Sequence, residues 1–276
     1  MIKYILLALL LINITLNASD IRLERYANTK TWLQDADSNA DSAFNLGLTY
    51  HKKIKDYDKA EYWYKKAYKL DNKGTDIIDS LGFLYTHKKN YKEAIKWYKL
   101  GVDAGDGDSA FGLALLYEEN LKNYPTAIKY YKKAYSLGHI GATYNLAMLY
   151  HTTLKEYPNA IIWYKKAHSL GHKSSAYNLA ILYKKKLKDI PNAVKWYKKA
   201  IDLGDSKALD GLSLLLKDNN LTLATAYVIA GIGNGYTKKE TLKYLRNDWK
   251  VDEKTIKKAY KLQLKLDIPK HYRGGI

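Results

Sequence analysis

Trp163-Tyr164-Lys165-Lys166-Ala167, followed by Gly171, is the phrase whose recurrence decides the fold. The same slot reads Trp63-Tyr64-Lys65-Lys66-Ala67, Trp97-Tyr98-Lys99-Leu100-Gly101, Tyr130-Tyr131-Lys132-Lys133-Ala134 and Trp196-Tyr197-Lys198-Lys199-Ala200. The first step is 34 residues and each later one is 33. A second phrase keeps time with it: Asn45-Leu46-Gly47, Ser80-Leu81-Gly82, Gly112-Leu113-Ala114, Asn145-Leu146-Ala147 and Asn178-Leu179-Ala180. A fixed period of this length predicts an all-α protein, an α-solenoid of stacked helix-turn-helix repeats.

Within a unit, Ala43, Leu46, Gly47 and Tyr50 fall on one face of a first helix, and Ala60, Trp63, Tyr64 and Ala67 on one face of a second. Pro125, Pro158 and Pro191 stand where second helices begin, since a first-turn residue needs no N–H partner. Asp56, Asn90, Asn123 and Asp189 precede those starts and suit an N-cap, while Glu156 takes the same place in the fourth unit. Gly105, Gly138, Gly171 and Gly204 suit the left-handed residue just past a helix end. Helices of about 12 to 14 residues are marginal alone in water. Aromatic pairs buried between hairpins are therefore expected to supply the decisive stability.

The array is expected over residues 41–235, its sixth unit degenerate around Leu212, Ala224 and Tyr227. Residues 20–40 read as an N-terminal capping helix, 236–266 as C-terminal capping helices and 267–276 as a loose tail. Met1 to Ser19 hold Lys3, an apolar run and small residues near Ala18, which reads as a secretory signal peptide. The expected address is export, periplasmic or secreted, with no transmembrane segment in the mature chain. The chain has no cysteine, so cysteine nucleophiles, cysteine metal sites and disulfides are excluded.

The net charge of +18 comes from 46 basic residues, of which only Arg22, Arg25, Arg246 and Arg273 are arginine. Excess lysine, tyrosine, asparagine and isoleucine together fit an AT-rich genome. Scarce arginine argues against nucleic acid, which favours bidentate guanidinium contacts. The lysine ladder Lys65/Lys66, Lys132/Lys133, Lys165/Lys166 and Lys198/Lys199 is expected opposite the Trp-Tyr face, as a solvated outer surface or a site for an anionic cell-envelope polymer.

No catalytic constellation or cofactor motif is found, so neither a catalytic residue nor a cofactor is expected. His51 and His151 share a repeat position three hairpins apart, and His139 and His172 occupy equivalent turns of adjacent units. Two ligands in exposed turns fall short of a closed metal site, so no metal is expected. The candidate partner-binding surface is the first-helix face beside the packed one. It comprises Phe44, Asn45, Phe111, Tyr144, Asn145, Met148, His151, Tyr177, Asn178, Ile181 and Lys184. Aromatics, flexible apolar groups and single polar groups suit a peptide groove; the alternative is that these residues only pack successive first helices.

The pattern A-x-x-L-G-x-x-Y, a connection, then A-x-x-W-Y-x-K-A and a glycine resembles the Sel-one-like repeat family, a subclass of the tetratricopeptide-type solenoids. Residues 43–50 and 193–200 carry it best, and the likeness weakens beyond about 205. The lysine-rich connection makes an ordinary tetratricopeptide array the nearest rival. The resemblance implies a right-handed α-solenoid with first helices lining a concave groove, and a non-catalytic scaffold for a protein or peptide partner. Cysteine-rich secreted members of the family imply a second reading, a β-lactamase or penicillin-binding protein. This chain departs from them in lacking cysteines and a serine–lysine dyad.

Overall fold

The computed structural model describes residues 22–23, 25–26, 28–71, 74–232, 237–269 and 272. The expected signal peptide lies outside them. Fifteen α-helices run through these residues: α1 (Thr29–Asp35), α2 (Ala40–Leu48), α3 (Tyr57–Leu70), α4 (Thr75–His87), α5 (Tyr91–Asp103), α6 (Gly107–Leu115), α7 (Tyr124–Ser136), α8 (Gly141–Met148), α9 (Tyr157–Ser169), α10 (Lys173–Leu182), α11 (Ile190–Asp202), α12 (Lys207–Leu216), α13 (Leu221–Ala230), α14 (Lys238–Asn247) and α15 (Glu253–Gln263). No strand occurs among the described residues. The chain is thus all-α, built of helix-turn-helix repeats of the solenoid class. It divides into a first unit ending at His139 and a second beginning at Ile140.

In the first unit α2–α3, α4–α5 and α6–α7 pair as hairpins, and α3 and α5 each pack on the next first helix. Ahead of them, Tyr26 and Trp32 lie half-buried against this unit's core, as a cap would. The second unit repeats the plan with α8–α9, α10–α11 and α12–α13, and α15 closes on α13. Leu212, Ala224 and Tyr227 are buried, so the degenerate sixth hairpin keeps the register. Val251 and Ile256, placed as a staple around the Asp252 cap, are buried too. Of the expected tail, residues 267–269 and 272 are described. Ile268 and Tyr272 are buried, because two large apolar side chains gain more from covering the last hairpins than from staying in water.

In four of the five aromatic pairs only the second ring, a tyrosine, is a core residue; in the fifth, Trp196 and Tyr197 are both buried. Tyr64, Tyr131 and Tyr164 are fully buried, with Tyr98 and Tyr197 nearly so, whereas Trp63, Trp97 and Trp163 stay half-exposed. In the first two repeats the tyrosine ring lies flat against the glycine of the first helix, Gly47 or Gly82. A Cβ on Gly82 would come within 2.6 Å of the Tyr98 ring, and one on Gly112 within 2.5 Å, so Tyr98 is held between two glycine faces.

The hairpin connections are wider than an α-turn. After α2, α6, α8 and α10 the helix continues as a π-helical turn: Thr49–Ile54, Leu116–Asn120, Leu149–Leu154 and Tyr183–Leu187. A lysine in the left-handed region then precedes the second helix of the first five hairpins: Lys55, Lys89, Lys122, Lys155 and Lys188, with φ between 53° and 66°. The next residue turns its N–H back on a tyrosine carbonyl, as Glu156 does to Tyr150 at 2.8 Å. Its side chain caps the helix where it is Asp or Asn: Asn123 accepts from the Thr126 N–H at 3.1 Å, and Asp189 from Asn192 at 3.0 Å. Glu156 makes no such cap, its longer side chain reaching Asn159 instead. Gly105, Gly138, Gly171 and Gly204 do take positive φ, 81° to 93°. Asn123→Ala is expected to lower the unfolding free energy by about 1 kcal/mol in urea titrations.

Candidate functional site

In three repeats the position five residues after the leucine faces the buried phenol. His51 Nδ1 lies 3.2 Å from the Tyr64 hydroxyl and His151 Nδ1 3.1 Å from that of Tyr164. Glu118 accepts from Tyr131 at 2.5 Å. Burial lowers the pKa of His151, helped by Lys186, and raises that of Glu118. His151 therefore supports the core tyrosine as well as edging the candidate surface, which spacing alone did not reveal. Met148 is drawn in too, its Sδ accepting from Tyr164 at 2.9 Å.

All eleven candidate residues are half-buried. Phe44, Asn45 and Phe111 belong to the first unit, and Tyr144, Asn145, Met148, His151, Tyr177, Asn178, Ile181 and Lys184 to the second. Phe111 stacks on His139 with centroids 4.1 Å apart, and Tyr144 on His172 at the same separation. Each histidine thus faces an aromatic of the preceding hairpin. Asn178 donates to the Tyr144 hydroxyl at 2.6 Å, engaging one of the three asparagines. Among the described residues no three His, Cys, Asp or Glu side chains gather to hold a metal ion.

Of the lysine ladder, Lys65, Lys132, Lys133, Lys165 and Lys198 are exposed, whereas the second lysine of three pairs turns toward a tryptophan. Lys66 and Lys166 stand 5.0 Å over the rings of Trp63 and Trp163, and Lys199 stands 5.2 Å over Trp196. Residues three apart on a helix are neighbours, so in these three pairs the second lysine leans onto the tryptophan face.

Counting two residues back from each repeat leucine gives Phe44, Asp79, Phe111, Tyr144, Tyr177 and Asp210. The aromatic row is thus twice replaced by aspartate. Each replacement lines a cleft. In the first unit one of about 340 Å³ opens beside Asp79, walled by Phe83, Tyr98, Phe111 and Leu115 and edged by Thr86, Asp108, Glu119 and His139. In the second unit one of about 420 Å³ lies among Asp210, Leu214, Val228, Glu240 and Tyr244. The first cleft gathers Asp108, Phe111 and Leu115, which share one helix face by spacing, with Asp79 and Phe83 from α4, which sequence reasoning had not included. The signal was present: Asp79 precedes Leu81 as Phe44 precedes Leu46. It was hidden by a step of 35 residues between those leucines. Burial, reinforced by Asp106, Asp108 and Asp76, pushes the Asp79 carboxyl up to about 7.

The hairpin geometry, the glycine-faced tyrosines and the cap pattern define a helical-repeat scaffold. A tetratricopeptide repeat model matches residues 40–73, and Sel1 repeat models match 82–106, 107–139, 140–172 and 173–205. The chain belongs to the tetratricopeptide-type repeat proteins, with four of its units Sel1 repeats. No curated protein sequence matches it. Among solved structures it is similar to a protective antigen of uropathogenic Escherichia coli displaying an SLR fold, at 22% identity and a TM-score of 0.55. That match covers 86% of this chain and only 55% of the antigen. It is also similar to a Sel1 repeat protein from Oxalobacter formigenes, at 24% identity, TM-score 0.51, covering 79% of this chain and 90% of the other. At these identities the likeness is one of fold. Among the described residues no helix is long and apolar enough to cross a membrane.

Proposed function

We propose that the chain is an exported scaffold, periplasmic or secreted, that binds an extended segment of a protein partner along its first helices without turning it over. The observation that carries this reading is the aromatic at one repeat position, Phe44 and Phe111 in the first unit and Tyr144 and Tyr177 in the second. Each ring is packed on its own repeat yet keeps part of its surface in water. Half-buried aromatics held by their neighbours offer large contact area at little entropic cost, the character of binding hot spots.

The test begins with peptides selected on the wild-type chain from a random display library. In Phe111→Ala/Tyr144→Ala their affinity is expected to fall at least about 10-fold, since hot-spot truncations cost about 2 kcal/mol or more. Circular dichroism must show the variant folded. Undiminished binding in a folded variant would remove the row from the interface. Export is tested separately by sequencing the mature N-terminus, with cleavage near Ala18 or Ser19 expected.

A further inference from the structure

The cleft beside Asp79 differs from the rest of the row in shape and in charge. Where Phe111 and Tyr144 stack on histidines, Asp79 meets Asp106, the residue at the place of His139 and His172 in the repeat. Asp106 directs its carboxylate into its own helix, accepting from the Asp108 and Ser109 N–H groups. Asp108 has His139 at 3.4 Å. Among the described residues nothing donates a hydrogen bond to the Asp79 carboxyl, and no lysine or arginine lines the cleft. In a chain of net charge +18, a recess edged by Asp79, Asp108 and Glu119 is a local reversal of sign. Its walls are the rings of Phe83, Phe111 and Tyr98 and the side chain of Leu115.

We propose that this cleft receives a basic side chain of the bound segment, its alkyl stem against Phe83 and Phe111 and its cationic head on Asp79. The inference rests on the scaffold reading and adds to it the chemistry of one position in the ligand. The physical ground is complementarity. A half-buried carboxylate among like charges is disfavoured in the free protein, and a guanidinium or ammonium group relieves both its desolvation and its repulsion. Aromatic walls favour the same occupant, because a cation is drawn to a ring face.

Protonation gives the proposal its pH signature. The carboxyl is raised by burial and by Asp106, Asp108 and Asp76, and Lys52 opposes that shift. Tyr98, Glu119 and His139 also border it. With the folded value at about 7, Asp79 is mostly neutral at pH 6 and mostly ionised at pH 8. Cation binding must therefore strengthen as pH rises between them.

The probes are acetylated, amidated pentapeptides Gly-Ser-X-Ser-Gly, with X arginine, citrulline or glutamate, titrated into the full chain by amide NMR. At pH 8 the arginine peptide is expected to bind at least about 10-fold more tightly than the citrulline peptide, the worth of one charge-assisted hydrogen bond. Its shifts should cluster at residues 79–83 and 108–115. Asp79→Asn, which keeps the side chain's shape, should abolish the preference. Asp76→Asn, an exposed neighbour on the same helix, should retain it. At pH 6 the preference should shrink several-fold.

Equal binding of arginine and citrulline peptides, a preference that survives Asp79→Asn, or shifts confined to other surfaces would overturn the proposal. Equal binding at these same residues would leave the scaffold reading intact while removing the cation. Loss of the scaffold reading itself shows in the Phe111→Ala/Tyr144→Ala experiment instead.

Discussion

Tyr164→Ala is expected to lower the free energy of unfolding by about 3–5 kcal/mol, the range for removing a large aromatic from a packed core. Tyr164 has no exposed surface, lies in the hairpin α8–α9 and meets both His151 and Met148 through its hydroxyl. Three losses add: apolar area withdrawn from water, a cavity that its helical neighbours cannot fill, and a polar group of His151 left without its partner. Tyr164→Phe removes only the last of these and should cost about 1 kcal/mol. Trp163→Ala, one residue away, should cost less than Tyr164→Ala, because its ring is half in water beneath Lys166. Urea titrations of the three variants give the order directly. A Trp163→Ala loss equal to or larger than that of Tyr164→Ala would contradict the assignment of the tyrosine as the core residue.

The second large effect is on acid stability and comes from His51. This side chain is 2% exposed. Its ring lies 5.6 Å from Tyr57, 5.4 Å from Phe83 and 5.4 Å from His87 between centroids. Burial, then the positive charges of His87, Lys55 and Lys52, push its pKa down to about 4. A histidine is ordinarily half-protonated near pH 6.5 when unfolded. Above that pH both states are neutral at this ring, and the contribution to stability is complete. As pH falls from about 6.5 to 4, the unfolded chain takes up a proton that the folded chain refuses, and stability is lost across that window. The loss should reach about 2–3 kcal/mol by pH 4.5. The check is a comparison with His51→Gln, which keeps an amide for the Tyr64 hydroxyl but does not titrate. The stability difference between wild type and variant should narrow or reverse between pH 7.5 and 4.5. Parallel curves would show that His51 is not the group responsible.

Much of the fold could be read from the sequence because the repeat states each requirement several times over. Leu46, Leu81, Leu113, Leu146 and Leu179 all fall in the core, and the glycines and aspartyl or asparaginyl caps sit where their backbone chemistry demands. Helical spacing could not say which ring of Trp163-Tyr164 goes inside, since both lie on the apolar side. In the first two repeats that choice is made by Gly47 and Gly82 on the facing helix, which give Tyr64 and Tyr98 a flat wall. The π-helical turns were invisible for a different reason: one residue more or less in a polar connection leaves the apolar periodicity on either side unchanged. The site was only partly legible. Spacing located Phe111, Tyr144 and Tyr177, but the inward role of His151 and the recess around Asp79 depend on what packs opposite, and no single helix face records that.

The hairpin α4–α5 reaches its cap from Tyr85 by a bond spanning five residues, where α2–α3, α6–α7, α8–α9 and α10–α11 span six. Tyr98 is buried there all the same, and Leu81 keeps its place. Length in these connections is thus uncoupled from the interior, as a hem can be let out without recutting the garment. Change in this chain has a tolerant direction: residues can be gained or lost at the turns, with the packed face of each helix left as it was.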